Sequence, residues 1–72
     1  MKYKIRLDTL SDINKFVSVC SQFTYKIDLI DGEGYRVSAK SIIGAIATAD
    51  WSNVYVECDH DIYSHITDFL TE

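Results

Sequence analysis

The residues best suited to chemistry lie near the carboxyl end, where Asp59, His60, Asp61 and His65 bring both histidines of the chain beside carboxylates. Such a set could hold a divalent ion, and a helix through the segment would place Asp61 and His65 one turn apart. The same composition suits a solvated loop at a strand end, and no second ligand cluster supports a metal, so no metal or cofactor is expected. Cys20 and Cys58 have no CxxC spacing. Cys20 keeps helical register with apolar neighbours and Cys58 keeps strand register, so both read as small core residues. Gly32 and Gly34 fit a hairpin turn better than a phosphate-cradling loop. No order of Ser, His and Asp, or of Cys and His, suggests a nucleophilic site, and the chain is not expected to be an enzyme.

A second group surrounds Ser41. This serine precedes Ile42-Ile43-Gly44-Ala45-Ile46-Ala47, where a helix cap would stand. Its hydroxyl would satisfy an orphan helix amide. A phosphate on it would meet the positive end of the helix beside Lys40. The helix itself is apolar nearly all round, yet a short helix on a two-layer fold buries only one stripe. Part of Ile42, Ile43, Ile46 and Ala47, together with Trp51, is therefore expected at the surface as a place for another protein to dock. The competing reading is that so small a domain uses every isoleucine in its core.

Periodicity supplies the elements that must position these groups. Tyr3, Ile5 and Leu7 alternate with Lys2, Lys4 and Arg6, which predicts a strand over 2–7. Ser11 or Asp12 is the expected cap of a helix over about 12–21 that carries Ile13, Phe16, Val17 and Cys20 on one face. Tyr25, Ile27 and Leu29 mark a second strand. Asp31-Gly32-Glu33-Gly34 marks a turn, and Tyr35 to Ala39 a third strand. Val54, Val56 and Cys58 mark a fourth. Asp59 or Asp61 is expected to cap a last helix with Ile62, Ile66, Phe69 and Leu70 on its buried face. The order βαββαβα predicts one α+β domain over 1–72, an open-faced sandwich with helices on one side of a four-stranded antiparallel sheet.

Composition narrows the function. The 72 residues are 47% hydrophobic and carry a net charge of −4, which suits a globular chain and disfavours nucleic acid or anionic lipid as a partner. No apolar run approaches a membrane span, and the first residues alternate where a signal peptide would be apolar, so a cytoplasmic location is expected.

The element order and the run Val37-Ser38-Ala39-Lys40-Ser41-Ile42-Ile43-Gly44 resemble the HPr family of the bacterial sugar phosphotransferase system. The resemblance extends over nearly the whole chain, with Phe23, Ile27-Asp28-Leu29 and the glycine hairpin in family order, and it implies the HPr-like sandwich. Family carriers hold a phosphohistidine in a His-Ala-Arg-Pro run, and aligned back from Phe23 that run falls on Thr9-Leu10-Ser11-Asp12. Thr9, Ser11 and Asp12 thus replace the histidine, arginine and proline, and Asp12 would repel an incoming phosphate. His60 is expected at the opposite end of the sheet and cannot stand in. Ser41 matches the serine phosphorylated by HPr kinase. The following helix, with Lys40, Ile42, Ile43, Ile46, Ala47 and Trp51, matches the surface that docks phosphotransferase proteins, the kinase and the catabolite-control regulator. The resemblance therefore implies a regulatory adaptor without histidine chemistry. Two alternatives stay open: a carrier with a non-standard phosphorylation site, and a metal- or ligand-binding sandwich unrelated to sugar uptake.

Overall fold

Strand alternation is realised in the computed structural model, which describes residues 1–71. The strands are β1 (Lys2–Ile5), β2 (Ile27–Ile30), β3 (Arg36–Ser38) and β4 (Val54–Cys58), and the helices are α1 (Leu10–Cys20) and α2 (Ile42–Ala47). The strands form one antiparallel sheet in the order β1-β4-β2-β3. Register places Tyr3, Val56, Leu29 and Val37 in one cross-strand row and Ile5 with Val54 in another. These inward residues form a single core with Ile13, Phe16, Val17 and Cys20 of α1 and Ala45 of α2. The result is a two-layer α+β fold with both helices on one face. Both cysteines lie in this core, and burial pushes the Cys20 thiol up to about 12.

Helix α1 starts earlier than expected, and its cap is Thr9 instead of Ser11 or Asp12. The Thr9 hydroxyl accepts from the Asp12 amide at 3.1 Å, and the Asp12 carboxylate accepts from the Thr9 amide at 3.2 Å, a reciprocal capping box. Ser11 and Asp12 are cap-type residues just ahead of the apolar repeat at Ile13, but both lie inside the first turn, where Asp12 completes the box with Thr9. Thr9→Ala should lower stability by about 1 kcal/mol, read as a lower urea midpoint at unchanged slope.

The last helix does not form. Residues 61–70 instead make two single 3-10 turns, Tyr63–His65 and Thr67–Phe69, followed by a bridge from Leu70 to Ile5. Ile62, Ile66 and Phe69 are buried as the helical spacing required, so the apolar pattern is satisfied without helix. The competing interaction is the outer edge of β1. Arg6 donates its amide to the Phe69 carbonyl at 2.8 Å, and Thr71 donates to the Lys4 carbonyl at 3.1 Å. Covering an open strand edge satisfies backbone groups of β1 that a last helix would leave exposed.

The helix-free face carries its own order. One cross-strand row reads Lys2, Glu57, Asp28, Ser38, and the next reads Lys4, Tyr55, Ile30, Arg36. Glu57 and buried Asp28 are thus directly opposite, a repulsive pairing. Arg36 resolves it from the neighbouring row: one terminal guanidinium nitrogen lies 2.8 Å from both Asp28 Oδ2 and Glu57 Oε1. The hydrogen bond to Asp28, then that to Glu57, raises the Arg36 pKa above its ordinary value. Arg36→Gln should lower the urea midpoint, and adding Glu57→Gln should recover part of the loss; additive losses would remove the bridging role.

Candidate functional site

Helix α2 is held to the fold by few atoms. Ala45 is its one buried residue, and Thr48, just past its end, is buried with its hydroxyl donating to the Ala45 carbonyl at 2.7 Å. Gly44 faces β3 so closely that a Cβ there would stand 3.3 Å from the Ser38 carbonyl oxygen and from Val37 Cβ. With its small residues turned inward, α2 presents the large ones outward. Ile43 is 83% exposed, Ile42 48% and Ile46 43%. Ala47 is exposed, whereas Trp51 is half-buried and packs against the core.

Ser41 is the α2 cap, as its position before the apolar run indicated. Its Oγ accepts from the Gly44 amide at 3.1 Å, and its carbonyl accepts from Ala45 at 2.8 Å. Its half-buried side chain lies at the rim of the isoleucine surface. Lys40 is half-buried too, and its ammonium donates to the Phe23 carbonyl, which ties the α2 entry to the end of α1.

Thr9, Ser11 and Asp12 lie at the opposite helix. The amino end of α1 is filled by its own carboxylate, since Asp12 Oδ2 accepts from both the Asp8 and Thr9 amides at 3.2 Å. A polar depression of about 450 Å³ connects the α1 approach to the segment after α2, with Arg6 and Asp8 on one side and Thr48, Trp51 and Asn53 on the other. Arg6 and Asp8 are paired at 3.3 Å.

Asp59, His60, Asp61 and His65 do not converge. Among the described residues, no three His, Cys, Asp or Glu side chains are placed to share a metal ion. Asp61 Oδ1 accepts from the Tyr63 amide and the Tyr3 hydroxyl, both at 3.0 Å, and these bonds, the backbone one first, lower its pKa. His60 stacks on Tyr25 at 3.8 Å between ring centroids, Tyr25 stacks on Phe23 at 5.2 Å, and His65 meets Phe23 edge-on at 5.0 Å. The histidines thus end a row of rings closing one end of the sheet. Strand and helix periodicity carry no signal for this row, because it joins two segments, 23–25 and 60–65, that are distant in sequence. His60 follows the carboxyl end of β4, beside Met1, while Thr9 follows the carboxyl end of antiparallel β1, so the two lie at opposite ends of the sheet.

Fold and surface together define a small α+β domain with a four-stranded antiparallel sheet, two helices on one face and an apolar, serine-capped second helix. Comparison of the chain with protein-family models, curated proteins and solved structures returns no match. No helix among the described residues is long and apolar enough to cross a membrane.

Proposed function

We propose that the chain is an HPr-like adaptor without histidine phosphocarrier activity, which docks phosphotransferase-system proteins or their regulators through α2 and is switched by phosphorylation at Ser41. The observation that carries this reading is the outward presentation of Ile42, Ile43 and Ile46 on a helix whose one buried residue is Ala45. Grouped exposed isoleucines have no folding benefit, whereas burial in a complex removes them from water. Three further features agree with the HPr resemblance: β4 lies antiparallel beside β1, the Lys40-Ser41-Ile42 run enters a helix, and the element order is kept up to β4. The self-capped amino end of α1 supports the loss of carrier chemistry, because the Asp12 carboxylate, hydrogen-bonded to the Asp8 and Thr9 amides, already sits there and would repel an anion.

A phosphate on Ser41 adds about −1.5 to −2 charge at the rim of the isoleucine surface. It opposes apolar docking and favours a partner that offers arginine. The test is the intact mass of the protein after incubation with ATP and HPr kinase, with Ser41→Ala as control. Gain of one phosphate that is lost in the variant is the expected result. No gain would reduce Ser41 to a helix cap and leave constitutive docking by α2.

A further inference from the structure

The charges of this acidic chain are segregated. Lys2, Lys4, Lys26 and Arg36, four of the seven basic side chains, share the helix-free face with three of the eleven carboxylates, Asp28, Glu57 and, at its rim beside Lys26, Asp59. The remainder of the chain therefore carries three basic side chains against eight acidic ones. Asp28 and Glu57 are already engaged, by Arg36 at 2.8 Å and, for Asp28, by Lys26 at 3.5 Å. That leaves Lys2 and Lys4, both exposed on β1, as the outward charge of a sheet face that no helix among the described residues covers. On the neighbouring strand Lys2 has Glu57 as its cross-strand partner and Lys4 has Tyr55, and the Lys2 ammonium lies 4.8 Å from the Tyr55 ring centroid.

We propose that this face docks a carboxylate-rich segment of a partner protein, independently of α2. Charge complementarity names the occupant. A screening length of about 10 Å at moderate salt lets the local positive face act separately from the acidic remainder. A nucleic acid suits the face less well. The Lys2 ammonium lies over the Tyr55 ring, where a base would have to stack.

The experiment is fluorescence anisotropy of a fluorescein-labelled polyglutamate peptide titrated with the intact protein at low and moderate salt. Parallel titrations use the Lys2→Glu/Lys4→Glu variant, checked for fold by circular dichroism, and Ile43→Asp. Salt-sensitive binding that weakens about tenfold or more in the double variant, and is unchanged by Ile43→Asp, is the expected result. Should the double variant not fold, Lys4→Gln alone must still weaken binding. No binding by the native protein, equal binding by the lysine variants, or tighter binding of a single-stranded oligonucleotide would each overturn the proposal. Loss through Ile43→Asp alone would place the peptide on α2 instead.

Discussion

Phe16→Ala is expected to leave the chain largely unfolded. The ring is wholly buried at the centre of α1 and meets Phe69 edge-on, with centroids 5.2 Å apart and planes at 83°. Truncating a buried phenylalanine costs about 3–5 kcal/mol through lost transfer free energy and the cavity left behind. A domain of this size has a total stability of roughly 5 kcal/mol, so little remains. The contact also secures the carboxyl-terminal segment: without it, Phe69 loses the partner that holds the 3-10 turns beneath α1. A urea melt would show the native baseline shortened or missing. A midpoint close to that of the native protein would mean that the core collapses around the cavity, and that Phe16 is not its keystone. Phe16→Leu, which conserves most of the volume, should stay folded at a cost of about 1–1.5 kcal/mol.

Ile43→Asp should have the opposite profile. At 83% exposure the side chain contributes little to folding, and a substitution there should change stability by no more than about 0.5 kcal/mol. Under the α2 docking reading it places a charge where a partner expects an apolar side chain. Loss of a central apolar anchor costs about 2 kcal/mol or more, thirtyfold or greater in affinity. Calorimetric titration of wild type and variant into HPr kinase, alongside their melting curves, measures both effects. Unchanged affinity with an intact fold would remove α2 as the docking surface, whatever Ser41 does. Ile46→Asp should weaken binding as well; its lower exposure makes its folding cost larger.

Local pattern was sufficient wherever one interaction range decided the outcome. Strict alternation from Val54 to Cys58 placed β4 with its observed bounds, because a half-buried strand in mid-sheet has no alternative use for that period. Ser41 before Ile42-Ile43-Gly44 located the start of α2, since a hydroxyl three residues ahead of an amide is a local cap. The prevalence of apolar residues on that short helix also foretold that some would face outward. The tertiary structure alone decided the rest. The spacing of Ile62, Ile66 and Phe69 identified which side chains are buried but not their backbone, because the open edge of β1 supplied hydrogen-bond partners that only a folded sheet presents. For the same reason Asp59, His60, Asp61 and His65, adjacent in sequence and suggestive of a metal, are drawn apart. Tyr3 and Tyr63 engage Asp61, while Tyr25 and Phe23 take the histidine rings. The opposition of Asp28 to Glu57 and its relief by Arg36 depend on strand register, a long-range choice that sets which charges meet. Periodicity reports what each segment buries; only the assembled sheet determines against what.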